Sequence, residues 1–189
     1  MISFLFCILL SYLLGSLNPA ALIAKRKRKS LRTNGTGNLG ATNTMLLFGK
    51  CYGAIVMLLD IAKAFLAIKI SVLLFGQAEW SSLLFGWFAV LGHIFPFYLG
   101  FRGGKGLAAF GGVILAFDPL LFLLLLVISF IFMLCINYSY AMPFSSALLF
   151  PPLVWMLYRD LFTTLLSSLL SITILLTHWS NFQKARHHK

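Results

Sequence analysis

Read for the alternation of apolar and polar positions, the chain is a series of long apolar runs separated by short polar ones. The runs are Ile2 to Ala24, Cys51 to Phe75, Trp80 to Phe101, Leu107 to Phe117, Leu120 to Ile136, Tyr140 to Tyr158 and Leu161 to Thr177. A helix rises about 1.5 Å per residue, so about 20 apolar residues cross a bilayer. The pattern predicts an all-α polytopic membrane protein, a bundle of about seven transmembrane helices. The fourth run, at about 11 residues, cannot cross unaided. It must extend back through the glycines before it or bend at Pro119.

Composition agrees. Of 189 residues, 60% are hydrophobic and 10% charged, and the mean hydropathy is +0.95, far above a water-soluble domain. The expected organisation is a single integral-membrane domain over residues 1–189. A net charge of +11 would point a soluble protein toward nucleic acid. Here the basic residues lie between apolar runs, so orientation and binding of anionic substrates or membrane lipids explain them, with no nucleic acid as partner. The run Lys25-Arg26-Lys27-Arg28-Lys29 follows the first apolar run, and no basic residue precedes that run. Its length and flanks predict a retained span, not a cleaved signal peptide. Cys7, Cys51 and Cys135 lack metal or redox spacing and read as small hydrophobes.

Charge also predicts topology. With the N-terminus outside, the inside segments are Lys25 to Lys50, Arg102 to Gly106, Asn137 to Ser139 and the tail from His178. They hold 12 of the 15 Lys and Arg residues, and Arg159 alone falls in an outside loop. The positive-inside rule then places the C-terminus in the cytoplasm. Both glycine-rich stretches share that face with the tail.

Those stretches are Asn34 to Asn43 and Gly100 to Gly106. Glycines admit positive φ and expose N–H groups, so such loops can cradle phosphate oxygens while Lys or Arg neutralises the charge. Gly35-Thr36-Gly37-Asn38-Leu39-Gly40 matches a dinucleotide fingerprint formally, but a basic loop between membrane helices is the wrong context. Gly103-Gly104-Lys105-Gly106 lacks the spacing of a nucleotide-hydrolysing loop. Either alone reads equally as a plain turn; two on one face, with Thr36, Asn38, Thr42 and Asn43 in the first, favour an anion site. His93 in Gly92-His93-Ile94-Phe95-Pro96 is a helix-packing hydrogen bonder or a site residue. Asp60 and Lys63 share a helix face, as a packing ion pair or as support for the site. Lys69 snorkels toward the outer interface. His178 and Asn181 share a face where the last run emerges. No hydrolase elbow, paired His ligands or carboxylate cluster appears, so neither metal nor cofactor is expected.

Ser16 to Pro19, Leu31-Arg32, Asn34 to Asn43, Leu59 to Lys63, Gly92 to Pro96, Phe101 to Gly106, and His178 with Asn181 resemble, in order and spacing, the bacterial acyl-phosphate:glycerol-3-phosphate acyltransferases (the PlsY family). The resemblance implies a seven-helix, multi-pass enzyme of the bacterial inner membrane whose active site faces the cytoplasm. Its reaction moves a fatty acyl group from acyl phosphate to the 1-hydroxyl of sn-glycerol 3-phosphate, giving lysophosphatidic acid and phosphate, the first acylation of phospholipid synthesis. Its partners are those two substrates, membrane lipids and a possible enzyme supplying acyl phosphate. By resemblance Thr36, Lys105, His178 and Asn181 are catalytic, and Gly35, Gly37, Asn38, Asn43, His93, Arg102, Gly103, Gly104 and Gly106 bind substrate. The chain departs from the family in carrying Leu46 where an Arg contacts phosphate, in its short tail, and around Tyr138-Ser139-Tyr140. Those departures keep open a diverged paralogue that binds phosphorylated lipid or glycerol phosphate with little turnover. A small anion transporter is a third class, but the outer half offers few polar residues beyond Lys69.

Overall fold

The structure, a computed structural model, describes residues 2–76, 79–136 and 141–187. The expected inside loop at Asn137 to Ser139, its neighbour Tyr140, and the side chains of Glu79, Asn181 and the tail from Lys184 lie outside the described set. Among the described residues every element is helical: α1 (Ile2–Ser16), α2 (Pro19–Arg26), α3 (Ala41–Phe48), α4 (Lys50–Phe75), α5 (Glu79–Ile94), α6 (Leu107–Phe117), α7 (Pro119–Ile136), α8 (Ala141–Tyr158) and α9 (Leu161–His187), with a 3-10 turn at Phe97–Leu99.

Five stretches are long and apolar enough to cross a membrane: Ser3–Arg26, Trp80–Leu99, Pro119–Ile136, Ala141–Tyr158 and Leu161–Trp179. The 26-residue α4 has the length but carries Asp60, Lys63 and Lys69 inside it, and Leu107–Phe117 is a shorter apolar helix. The expectation of about seven crossings therefore rests, for α4 and α6, on more than length and composition.

The first apolar run is not one helix. It breaks at Leu17-Asn18, where the Asn18 side chain accepts from Ala21 N at 2.8 Å and caps α2, with Pro19 in the first turn. Nor is the first glycine-rich stretch all loop, because Ala41 opens α3. Gly49, at φ +99°, then separates α3 from α4. Lys50 stands one turn beyond Leu46 in sequence, but it opens a new helix, so the i, i+4 relation between the two is broken.

Packing follows the small residues. A Cβ on Gly92 would run into the backbone of α1 at Tyr12 and Ser16, and one on Gly112 would meet Ile61 of α4. Close crossings of α1 with α5 and α4 with α6 are thus built on glycine. Around them Ile68, Leu83, Val90, Phe110, Phe150 and Ile174 form the core. At the other end from the glycine loops, Asp118 caps α7 by accepting from Leu120 N and Leu121 N, and Asp160 caps α9 through Thr163 N. Hydrogen bonds from Thr163 hold the Asp160 carboxyl below the usual carboxylate range. Lys69 does more than snorkel: its ammonium donates to Ala116 O at 3.0 Å, in the last turn of α6.

Candidate active site at the two glycine-rich loops

The first loop is shaped by Asn43. This residue is fully buried at the start of α3. Its Nδ2 donates to Leu31 O (2.8 Å), Asn34 O (3.1 Å) and Asn38 O (3.1 Å), and its Oδ1 accepts from Thr36 N (2.8 Å). Gly35 and Gly37 take φ of +63° and +74° around it, which glycine adopts without strain. Every polar atom of the carboxamide is committed. Asn43 thereby holds the loop that presents Thr36, which is exposed, and Asn38, whose half-buried carboxamide makes no bond to described residues.

The second loop returns along the end of α5. Gly103 N donates to Ile94 O (2.8 Å) and Gly104 N to His93 O (3.1 Å). Those two N–H groups are consumed inside the protein, so they are not the phosphate donors that glycine spacing alone suggests. The open donors lie one step on, where Gly106 leads into α6 and the first-turn amides of Leu107, Ala108 and Ala109 lack helical partners. Lys105 immediately precedes that helix end. Its carbonyl accepts from Thr177 Oγ1 at 2.8 Å, which brings α9 alongside. The adjacent His178 is 6% exposed, and its Nδ1 lies 3.0 Å from Ile174 O. A carbonyl only accepts, so Nδ1 carries the proton and the neutral ring leaves Nε2 as an acceptor. Asn181 lies on α9 one turn beyond His178.

Beneath the second loop sits a buried charged cluster. Asp60 and His93 are 2% and 3% exposed. Lys63 Nζ lies 2.8 Å from Asp60 Oδ1 and 2.9 Å from His93 Nδ1, and it donates to Leu17 O. An ammonium is donor only, so it donates to His93 Nδ1 as well as to Leu17 O. His93 Nδ1 is then an acceptor and its Nε2 bears the proton. His93 Nδ1 is also 3.3 Å from Asp60 Oδ1, although neither approach to that oxygen is aligned as a hydrogen bond. Nε2 lies against Gly104: a Cβ on that glycine would overlap it, and would also fall 2.9 Å from Leu39 O. His93 is thus enclosed under the loop, where it supports Gly104.

Three residues to which the sequence assigned no role lock the loops together. Arg32 Nη2 donates to Leu99 O (2.6 Å) and Arg102 O (2.9 Å), tying the first loop to the second. Asn18 Nδ2 donates to Leu39 O (3.3 Å), and Tyr98 Oη accepts from Asn18 N (3.0 Å) while donating to Ser16 O (2.9 Å). Asn18 followed by Pro19 was the readable signal, since a cap and a first-turn proline inside an apolar run mark a helix start. The Arg102 side chain is exposed at the rim. Arg32→Ala is expected to lower kcat/KM about tenfold with little change in thermal stability, because it loosens two exposed charge-assisted bonds. Steady-state kinetics that match the parent would refute the clip, and Arg32→Lys should restore only part, because a shorter, more strongly hydrated ammonium replaces the planar Nη2 that meets both carbonyls.

The family model for glycerol-3-phosphate acyltransferase matches residues 5–188. The chain is 36% identical over 198 residues to a glycerol-3-phosphate acyltransferase of Streptococcus thermophilus, covering 98% of this chain and 91% of that one. It is 44% identical over 115 residues to one from Aquifex aeolicus, covering 61% and 60%. The crystal structure of PlsY, an integral membrane glycerol 3-phosphate acyltransferase, in its glycerol 3-phosphate form matches with a TM-score of 0.88 at 33% identity, over 98% of this chain and 93% of that one. Its lysophosphatidic acid form matches at 0.84 and 32%, with the same coverage.

Proposed function

The chain belongs to the glycerol-3-phosphate acyltransferase family, and from that premise we propose that it transfers a fatty acyl group from acyl phosphate to the 1-hydroxyl of sn-glycerol 3-phosphate. The single observation that carries the reading is the convergence of Lys105, the amino end of α6 and His178 of α9 at the second loop, with the first loop held in shape by Asn43. Acyl phosphate is already activated. What the protein supplies is a place where two phosphorylated molecules lie together despite their repulsion, offset by Lys105 and the α6 amides. Thr36, Asn38 and Arg102 complete the phosphate contacts from the loops. His178 Nε2 and Asn181 receive the glycerol phosphate. The hydroxyl oxygen attacks the acyl carbon, the bond from that carbon to the phosphate oxygen breaks, and the hydroxyl proton leaves on the released phosphate. A substrate phosphate oxygen thereby serves as the base. Neither metal nor cofactor enters these steps, and the whole chain acts as one membrane domain.

Purified protein given acyl phosphate should release inorganic phosphate only when glycerol 3-phosphate is present, with lysophosphatidic acid in equal amount. Release without the acceptor, or none with it, would sink the reading. Leu46 favours the weaker paralogue as a second reading, since it is 61% exposed on α3 and brings no charge to the site. Lys50 lies beyond the turn at Gly49 and does not replace the missing charge through helical spacing. Leu46→Arg is expected to lower the KM for one substrate about tenfold. An unchanged KM would show that the natural site is complete without it.

The proposed setting is the bacterial inner membrane, with the N-terminus outside and the loops and C-terminus in the cytoplasm. With Cys51 and Cys135 replaced by serine, a membrane-impermeant maleimide should label Arg159→Cys in intact cells and leave Ser30→Cys unlabelled. The reverse pattern would invert the topology.

A further inference from the structure

Beside the catalytic loops, and sharing no lining residue with them, an open cleft of about 390 Å³ lies between α2 and α4, lined by Ile23, Arg26, Lys27, Tyr52 and Ile55. We propose that this cleft is a binding site for an anionic membrane phospholipid, with the headgroup phosphate on Arg26 and Lys27 and an acyl chain along Ile23 and Ile55. The inference goes beyond acyl transfer and does not depend on it.

The placement begins with α2. Ala20 and Ala24 are buried with Leu31, Leu39 and, from α4, Val56, and Arg26 and Lys27, both exposed, line the cleft beside that contact. Lys27 Nζ stands 4.6 Å from the centre of the Tyr52 ring. That cation–π contact keeps the ammonium at the rim of the cleft. Neither cation has an acidic partner among the described residues: the ion pairs there are those of Asp60 with Lys63 and His93, and the remaining acids, Glu79, Asp118 and Asp160, belong to other connections. The floor changes character within one helix. Tyr52, Ile55 and Leu59 follow one another on one face of α4, and Ile55 and Leu59 are exposed. A cationic rim above an apolar lane is the complement of a molecule with an anionic head and a hydrocarbon tail, and each basic residue near an anionic leaflet contributes about 1 kcal/mol. A soluble phosphate would use the rim and leave the lane uncovered.

The test uses the full chain in phosphatidylcholine vesicles. Tyr52→Trp supplies a reporter, read as the difference from the parent, which carries the same four native tryptophans. Dibrominated phosphatidylglycerol should quench that reporter several-fold more than an equal share of dibrominated phosphatidylcholine. Adding Arg26→Gln with Lys27→Gln should abolish the preference. Adding Arg28→Gln with Lys29→Gln removes the same charge away from the lining and should preserve it. Equal quenching by the two lipids overturns the proposal. So does an equal loss in the two charge variants, which is the mark of a diffuse surface potential, or displacement of the lipid by inorganic phosphate, which is the mark of a free-anion site.

Discussion

Replacing Lys105 with alanine is expected to cut acyl transfer roughly a thousandfold while the chain stays folded and inserted. Lys105 sits where the second loop becomes α6, at the positive end of that helix and beside Thr177 and His178. A phosphate there meets a full positive charge and oriented amides in surroundings with little water, where loss of one donor typically costs about 3 to 4 kcal/mol of transition-state stabilisation. The backbone carbonyl of Lys105 accepts from Thr177 of α9, a contact that alanine retains. Kinetics and thermal unfolding in detergent separate the two effects. Turnover within tenfold of the parent would remove Lys105 from the phosphate site.

The largest stability effect should come from Lys63→Met. Asp60, Lys63 and His93 are enclosed together, and the ammonium bonds Leu17 O and His93 Nδ1 while pairing in charge with Asp60. Removing one member of a buried ion pair typically costs about 3 to 5 kcal/mol, since the other charge stays buried and unpaired. In a chain of this size that corresponds to a fall in Tm of about 10 °C. Asp60→Leu combined with Lys63→Met should recover much of the loss, because no charge is left without a partner. A melting temperature for Lys63→Met within a degree or two of the parent would show that the cluster holds nothing in place. The single variant should also lose activity beyond its loss of folded protein, because His93 Nε2 braces Gly104 from below.

Much of this was legible in the chain. The bounds of α6, at Leu107–Phe117, follow from Gly106 on one side and Asp118-Pro119 on the other, where backbone freedom and a missing N–H end helices without help from tertiary contacts. Hydrophobic averaging concealed the break at Leu17-Asn18, because a window of about 20 residues returns one value for a straight helix and a broken one. The helix α3 was hidden by its own composition: Thr42, Asn43 and Thr44 favour caps and turns, and burial of Asn43 and Thr44 overrides that preference. Arg32, Tyr98 and the pairing of His93 with Lys63 depend on partners tens of residues away, which no local spacing reveals. The glycines at 103 and 104 permit close packing on His93, and the amides without helical partners belong to the helix that follows.

The break in the first apolar run also sets an order of assembly. Its exposed backbone and the loop it leads into are satisfied by Lys63 at the Leu17 carbonyl, by Tyr98 at Asn18 N and Ser16 O, and, through Arg32, by the carbonyls of Leu99 and Arg102. All of these lie later in the chain. A nascent chain that ends before Tyr98 holds a first span whose joint is unsatisfied at Asn18 N and Ser16 O, in a solvent that offers no replacement hydrogen bonds. The first loop, shaped locally by Asn43, is therefore clipped in place only after the second has been made, and the site closes from the middle of the chain backward rather than in the order of synthesis.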